Sequence, residues 1–374
     1  MINRERMTDQ LLELIQIESP SGREGAMAKR LEAILTGELG MTVVYDKARE
    51  KLGTETGNLV ATLKGTHPGI PIVFSAHMDT VQQPGDRIRP VLEGGILRSD
   101  GTTILGSDDK AGITALIEAL RVVREQNLPH GDIQAVFTIW EEGGLLGSAN
   151  LDYSLIRGER VFVLDSEGPI GSVVNQGPAR DRITALFKGK AAHAGLDPET
   201  GISAIQMAAR AIDTMPLLRI DGETTANIGI IEGGKATNVV TPEVLVVGEA
   251  RSQSNEKLAV QTERMTKAIR QAAADFGGEV ELTVDRMYGA FQVPEEAPIL
   301  QTLRKAIEAI GLEPIIEASG GGSDTNHFNA NGIPAVNLSV GIEEPHSNKE
   351  SIDLENLAKV TELVVEVIRH HATM

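Results

Sequence analysis

The sequence predicts an α/β protein in which a mostly parallel sheet is flanked by helices and interrupted by a smaller α+β domain. Three observations support this prediction. Nearly continuous apolar runs are typical of strands covered on both faces, and they include "IPIVFSAHMDTV", "DIQAVFTIW" and "RVFVLD". These runs alternate with helix-forming segments such as "GSDDKAGITALIEALRVVREQ", which favours parallel pairing. Beyond about residue 180 the order of elements changes, which indicates a second domain.

The second domain is predicted from six consecutive elements: strand, helix, strand, strand, helix and strand. This order is the split βαβ, ferredoxin-like pattern. The segments are "RITALFKG", "GISAIQMAARAIDTM", "TANIGIIEGG", "EVLVVGEARS", "NEKLAVQTERMTKAIRQAAADFG" and "EVELTVDRMYG". We therefore expect the main domain to comprise residues 1–179 and 288–374, with the inserted domain at 180–287.

Composition excludes several classes of protein. A chain of 374 residues is long enough for two domains, and 41% hydrophobic with 24% charged residues is typical of globular proteins. A formal net charge of −18 argues against a nucleic-acid partner, which requires clustered Lys and Arg. The chain has no cysteine, so a metal site must use His, Asp and Glu. No apolar run has the length of a signal peptide or a membrane span, so we expect a cytoplasmic protein without membrane contact.

The N-terminal region predicts two helices separated by the loop "SPSGREG". Leu11 and Ile15 lie at helical spacing in the first of them. Ser21 and Glu24 have the spacing of a capping box, which predicts that the second helix begins there.

Acidic and imidazole side chains follow the ends of several predicted strands. In an open parallel sheet, ligands bind beyond the carboxyl ends of the strands. So many carboxylates in one place would repel one another, which favours a bound cation. A mixed set of imidazoles and carboxylates suits Zn²⁺, Co²⁺ or Mn²⁺. The residues concerned are His77, Asp79, Asp108, Asp109, Glu141, Glu142, Asp165 and His346.

Each of these motifs alone also has a purely structural interpretation. Adjacent aspartates before a helix are typical of an N-cap, and adjacent glutamates after a strand are typical of a solvated loop. Their joint occurrence at equivalent strand ends favours a functional site.

The same motifs resemble a known family. "SAHMDTV", "LGSDDKAG", "TIWEEGGLLGS", "VLDSEG", "KAAHAG" and "PHSNKES" are similar to the successive motifs of the di-zinc metallopeptidases that include aminoacylase, glutamate carboxypeptidase and peptidase T. Their order and spacing match along essentially the whole chain. "HMDT", "DDKAG" and "EARS" resemble the peptidase T branch, the tripeptide aminopeptidases. The resemblance implies a zinc-exopeptidase fold, two Zn²⁺ ions (or Co²⁺ or Mn²⁺), small peptide substrates and a homodimer formed through the inserted lid domain.

The resemblance also implies individual roles. His77 and Asp165 would bind one metal, Glu142 and His346 the other, and Asp108 both. Asp79 would hydrogen-bond His77 and fix its tautomer. Glu141 would be the general base. The residues themselves do not decide which of the two glutamates takes which role.

Further residues are candidates for binding the substrate. By the resemblance, His193 would stabilise the oxyanion, from the same or a partner subunit. Arg251 could pair with a substrate carboxylate, and Asn227 could contact the substrate. Gly321 and Gly322 precede a predicted helix N-terminus that could present N–H groups to an anion. A surface histidine, a surface ion pair and a plain turn are the structural alternatives.

Within this family the sequence favours a tripeptide aminopeptidase but leaves other substrates open. A dipeptidase, a carboxypeptidase or an N-acyl-amino-acid deacylase would use the same metal centre. From a different class, an inactive metal-bound binding protein or scaffold is also open. The intact Glu141 argues against an inactive protein, because a non-catalytic relative has no need of the base.

Overall fold

The computed structural model describes residues 2–372 and divides into two compact units. The first, here called the sheet unit, comprises the chain up to Gln176, Gln292–Ala318 and the chain from Ser323 onward. The second, here called the inserted unit, comprises Gly177–Phe291 together with Ser319–Gly322. The short segment Ser319–Gly322 therefore belongs to the inserted unit, although the rest of that unit ends at Phe291.

The helices and strands alternate along the chain as the sequence predicts. The α-helices are α1 (Arg4–Ile15), α2 (Gly25–Ala33), α3 (Ala48–Leu52), α4 (Lys110–Glu125), α5 (Leu146–Ala149), α6 (Ala204–Thr214), α7 (Asn255–Asp275), α8 (Pro298–Ala309), α9 (Thr325–Ala330) and α10 (Leu354–Ala372). A π-helical turn covers Ile34–Glu38, and 3₁₀ turns cover Tyr153–Leu155 and Pro198–Thr200.

The strands are β1 (Thr42–Tyr45), β2 (Leu59–Leu63), β3 (Ile72–His77), β4 (Pro90–Glu93), β5 (Ile96–Ser99), β6 (Ile133–Thr138), β7 (Val161–Ser166), β8 (Ser172–Gly177), β9 (Ala179–Lys188), β10 (Leu218–Arg219), β11 (Thr224–Gly233), β12 (Glu243–Ser252), β13 (Glu279–Tyr288), β14 (Phe291–Gln292), β15 (Ile315–Ala318), β16 (Ala335–Ser339), β17 (Ile342–Glu343) and β18 (Ser351–Asp353).

The sheet unit is built on a mixed sheet with a parallel centre. Its strand order begins β1-β2-β6-β3-β7-β16-β8. Neighbours among β6, β3, β7 and β16 pair in parallel, whereas β1, β2 and β8 are added antiparallel. Every residue of β3 and β6 is buried, as expected for strands with helices on both faces. The predicted mostly parallel sheet is confirmed, with antiparallel strands beside its parallel centre.

Helix α4 is the central helix of the sheet unit. All but its last two residues are buried, and it packs against α1, α10 and the sheet. Such burial explains why its sequence is apolar around most of its circumference. A small antiparallel sheet in the order β17-β18-β5-β4 lies in the same unit. Across residues 2–372 no helix combines the length and apolar character that crossing a bilayer requires.

The inserted unit has the ferredoxin-like topology that the sequence predicts. Its sheet runs β10-β11-β12-β9-β13 with antiparallel neighbours. Helices α6 and α7 pack together and contact β9 and β12. The buried positions alternate along β9 and β12, because a half-covered strand turns every second side chain to its core. Phe187, Met207, Met265 and Ile269 are fully buried in this core.

The predicted capping box at the start of α2 is wrong. Glu24 is the N-cap residue, but its side chain makes no capping hydrogen bond. Instead its Oε1 accepts hydrogen bonds from Gly22 N (2.7 Å) and Trp140 N (3.0 Å), while the Ser21 hydroxyl donates to Asp79 Oδ2 (2.6 Å). Both side chains therefore connect the loop to the segments that follow β3 and β6 instead of capping the helix, a use that local spacing does not reveal.

Removing the charge of Glu24 is expected to reduce the pH dependence of folding stability. Burial, and then the charge of Asp79, raise the pKa of Glu24 from 4.5 to about 7. Between these values the unfolded chain loses a proton that the folded chain keeps, so the free energy of unfolding falls as pH rises. In Glu24→Gln the amide oxygen can still accept both backbone hydrogen bonds. Urea unfolding should show that the free energy of unfolding falls less between pH 4.5 and pH 7 in this variant than in the parent protein.

The matched control is Glu50→Gln, at an exposed position of α3. This variant should keep the parent pH profile. If Glu24→Gln also keeps that profile, the ionisation of Glu24 does not contribute as described.

Candidate metal centre

Five separate segments of the sheet unit bring donor atoms to one place. His77 ends β3, Asp165 lies near the end of β7, and Glu142 follows β6. Asp108 lies just before α4, and His346 lies in the loop between β17 and β18. Because β3, β6 and β7 are parallel neighbours, their carboxyl ends meet at the same sheet edge.

These donors form two groups that share Asp108. His77, Asp108 and Asp165 form one group, and Asp108, Glu142 and His346 form the other, with the ligand atoms of each group within 4.8 Å of one another. His77 Nε2 lies 3.2 Å from Asp108 Oδ1 and 3.2 Å from Asp165 Oδ1. His346 Nε2 lies 3.2 Å from Asp108 Oδ2 and 2.7 Å from Glu142 Oε1. Asp108 thus directs one carboxylate oxygen to each group.

The carboxyl groups of the site are placed where they disfavour one another's charge. Burial is the largest effect on the pKa of Asp165. Together with the charges of Asp108 and Asp324 it raises this pKa to about 7, although His77 lowers it. The pKa of Glu142 is also raised, chiefly by burial. Burial alone would raise the pKa of Asp108, but hydrogen bonds from His346 and His77 lower it below the usual range. Acids this close together favour a cation between them.

The imidazoles compensate for part of this negative charge. Hydrogen bonds to Asp108 and Glu142 raise the pKa of His346 to about 10. Burial would lower the pKa of His77, yet the charge of Asp165 and the hydrogen bonds to its neighbours raise it well above its usual value. Because metal ligands must be deprotonated, metal binding would release protons from these imidazoles.

The donor set fits a pair of divalent cations. Each group offers one imidazole nitrogen and two carboxylates, which are ligands that Zn²⁺ accepts, and together they leave positions for water or substrate. A carboxylate that faces both groups would be able to bind two cations at once.

Asp79 lies beside His77 but acts mainly on other residues. His77 Nδ1 lies 2.9 Å from the Asp79 carbonyl oxygen and 3.6 Å from its carboxylate Oδ1. The Asp79 carboxylate instead accepts hydrogen bonds from Glu141 N (2.9 Å) and Glu142 N (3.2 Å). The Asp79 carbonyl oxygen is therefore the nearer partner of the imidazole, and the Asp79 carboxylate also holds the backbone of the two glutamates.

Glu141 is a buried acid of the site that belongs to neither donor group. Its side chain is buried, and burial followed by the charge of Asp165 raises its pKa well above the usual range. Its backbone N–H is held by Asp79, and its carbonyl accepts from Gly144 N and Leu145 N. A carboxyl group in such surroundings is suited to accept and release a proton.

Several supporting residues were missed in the sequence. Asn337 on β16 exchanges hydrogen bonds with the backbone of Asp165. Asp324 is buried, accepts from Thr138 Oγ1 (2.5 Å) and contributes to the raised pKa of Glu141. Glu350 accepts hydrogen bonds from the segment that leads into Asp108. The glutamate in "PHSNKES", four residues after His346, was a signal that could have identified Glu350.

The remaining candidates lie in the inserted unit. His193 is exposed, and its Nδ1 accepts from Gly195 N (3.1 Å). Arg251 Nε donates to Glu249 Oε1 (2.7 Å), and Arg180 Nη2 lies 2.7 Å from Glu249 Oε2. Two guanidinium groups thus share one carboxylate, which leaves a net positive charge. Asn227 pairs with Glu249 across β11 and β12.

The glycines of the "SGGGSD" segment have different reasons for their presence. Gly321 N donates to Ser319 Oγ (3.0 Å). A Cβ on Gly322 would lie 2.4 Å from the Tyr288 hydroxyl, so close approach of the chain excludes any larger residue. The roles of Gly321 and Gly322 in anion binding remain predictions, as do the roles of the other residues in the inserted unit.

Comparison with known proteins identifies the family. The family model "Peptidase family M20/M25/M40" matches residues 73–370. The uncharacterized protein YqjE of Bacillus subtilis (strain 168) is 44% identical over 372 residues, which cover 100% of both chains. The crystal structure of aminopeptidase PepT from Bacillus cereus ATCC 10987 is 44% identical, with a TM-score of 0.89 and 99% of each chain covered. That of a tripeptidase from Staphylococcus aureus subsp. aureus Mu50 is 38% identical, with a TM-score of 0.94 and 100% of each chain covered.

These matches confirm the family resemblance that the motifs carry. They extend over both units, so the inserted unit is part of the shared architecture. The protein belongs to peptidase family M20/M25/M40 and is a metallopeptidase.

Proposed function

We propose that this protein is a tripeptide aminopeptidase with a two-metal centre. The observation that carries the proposal is the pair of donor groups that share Asp108 beside the buried Glu141. The similarity to proteins named aminopeptidase PepT and tripeptidase supports tripeptides as the substrate class. The metals are two Zn²⁺ ions, or Co²⁺ or Mn²⁺, and their ligands are His77, Asp108, Glu142, Asp165 and His346.

The catalytic residues have separate tasks in this proposal. Two divalent cations, when bound, lower the pKa of a water molecule and polarise the scissile carbonyl. The Glu141 carboxylate accepts a proton from the attacking water molecule and later passes it to the departing nitrogen. Glu141 thus acts first as a base and then as an acid. Asp79 keeps Glu141 in position by accepting its backbone N–H.

The residues of the inserted unit would recognise the substrate. Arg251 would bind the terminal carboxylate, which a guanidinium can grip with two parallel hydrogen bonds. The excess of positive charge around Glu249 supports this role. His193 would donate to the oxyanion, and Asn227, Gly321 and Gly322 would contact the substrate.

Hydrolysis is expected to depend on metal and on the free carboxyl end of a tripeptide. The purified enzyme should release the N-terminal residue of a tripeptide faster than it cleaves dipeptides or N-acetyl amino acids. The C-terminal amide of the same tripeptide should be cleaved more slowly, because Arg251 loses its anionic partner. Chelation should abolish the activity, and added Zn²⁺, Co²⁺ or Mn²⁺ should restore it. Chromatography of the products identifies which end is released.

Two outcomes of this assay would contradict the proposal. Activity that persists in the chelated enzyme would remove the metal mechanism. Preferential cleavage of N-acetyl amino acids or release of the C-terminal residue would keep the metal centre but replace the substrate class.

Substitutions should separate metal binding from proton transfer. Glu141→Gln keeps the shape of the side chain, so it should retain both metals and lose turnover by about 10²–10⁴-fold. Asp108→Ala removes the shared ligand and should lose metal as well as activity. Metal content after gel filtration, measured beside peptide hydrolysis, distinguishes these results. Equal metal loss in both variants would mean that Glu141 is a ligand.

We also propose that the protein is a homodimer formed through the inserted unit. β10 pairs with β11 only at Thr225 and Ala226, so within the described residues no other strand pairs with that edge of β11. Ile230 and Ile231 on this strand are 43% and 55% exposed. An exposed apolar edge strand is a template for pairing with a second chain.

A charge on this edge is expected to separate the subunits. Ile231→Lys should convert a dimer into a monomer in sedimentation velocity, because pairing would bury the ammonium group. The matched control is Val284→Lys, which lies on the opposite edge strand and is also 40% exposed. A monomeric parent protein would contradict the proposal directly, as would dissociation in both variants.

A further inference from the structure

We propose that Glu350 is a positioning residue that holds both Asp108 and His346 for the second metal. Its carboxylate accepts hydrogen bonds from the chain segment that leads into Asp108, and its backbone N–H closes the loop that carries His346. This inference rests on the proposed metal centre, and it assigns a role to a residue that is in neither donor group.

The carboxylate of Glu350 accepts five hydrogen bonds from four consecutive residues. Oε1 accepts from Ser107 N (2.6 Å), Ser107 Oγ (2.7 Å) and Asp108 N (3.1 Å). Oε2 accepts from Leu105 N (3.0 Å) and Gly106 N (2.9 Å). Four backbone N–H groups in a row therefore point at one side chain, and this fixes the path of the chain into the shared ligand.

Only a carboxylate can satisfy this arrangement. Glu350 is 1% exposed, so water cannot replace a lost partner. All five contacts are donated to it, and an ionised carboxylate is the side chain that offers only acceptors. An amide in its place would turn an NH₂ group toward backbone N–H groups and leave buried donors without partners.

The same residue closes the loop of His346. Glu350 N donates to Ser347 O (3.1 Å), and Ser347 Oγ donates to Glu344 O (2.9 Å). β18 begins at the next residue and pairs with β5. The His346 side chain is 52% exposed, so packing holds it only weakly and the loop must supply its orientation. Glu350 is the buried end of that loop.

The consequence is unequal for the two donor groups. His77 pairs with Thr138 of β6 in the parallel sheet, and the backbone of Asp165 on β7 exchanges hydrogen bonds with the Asn337 side chain. The Asp108–Glu142–His346 group instead takes two of its three ligands from segments that meet at Glu350. Loss of Glu350 should therefore weaken this second group more than the first.

The test is a Co²⁺ titration of metal-free, full-length protein, followed by visible absorption and by bound metal. The parent should bind two ions. In Glu350→Gln one of the two dissociation constants should rise by about 10–100-fold, as for other residues that orient metal ligands, while the other changes less. Turnover should recover at high Co²⁺, which a general loss of folded protein would not allow. Glu343→Gln, an exposed glutamate on β17, is the matched control and should behave as the parent.

Each outcome of the titration supports or overturns the inference. Parent-like binding of both ions by Glu350→Gln overturns it, and so does an equal weakening of both. If Glu350→Gln does not fold, Ser107→Ala decides, because it removes one hydrogen bond and keeps the carboxylate. Ser107→Ala should raise one of the two dissociation constants by about fivefold, and unchanged binding of both ions would overturn the inference. A parent that binds no Co²⁺ would overturn the proposed metal centre itself, a result distinct from failure at Glu350 alone.

Discussion

The constraint on which the sheet unit depends is the burial of many carboxylates in a small space. Two sets of acids meet this constraint in different ways. Asp79, Asp109 and Glu350 accept hydrogen bonds from backbone N–H groups of the chain itself. Asp108, Glu142 and Asp165 face imidazoles instead and are left available for a cation. The first set holds the chain segments that carry the second, as residues that orient metal ligands do.

The parallel sheet explains why these acids can come from such distant positions. β3, β6 and β7 end at one edge of the sheet, so the polar residues at and just after their carboxyl ends are neighbours in space. The loop before α4 and the loop of His346 complete the site, and their positions depend on contacts instead of strand pairing. The inserted unit has a separate core between its sheet and the helices α6 and α7. Its fold therefore depends on its own packing.

Sequence-based prediction succeeded where periodicity and motif spacing act locally. The apolar runs predicted β3, β6 and β7, and the six-element order predicted the ferredoxin-like sheet. The interpretation of Ser21 and Glu24 as a capping box was wrong, because both side chains use partners more than fifty residues away in sequence. Asp79 does contact His77, with its carbonyl oxygen 2.9 Å from Nδ1, but its carboxylate also accepts from the backbone of Glu141 and Glu142, which the motifs did not indicate. Spacing along the chain does not specify which hydrogen-bond partner a side chain meets.

The sequence by itself determined the family, the fold class and the residue types available for a metal, because these follow from hydrophobic pattern and from motifs in a set order. Only the tertiary structure decided that Asp108 directs its two oxygens to different donor groups and that Glu350 receives the segment before it. The physical reason is that a buried carboxylate takes whichever donors the packed chain brings within about 3 Å, the length of a hydrogen bond. That distance is set by the packing of remote segments and not by neighbours in sequence.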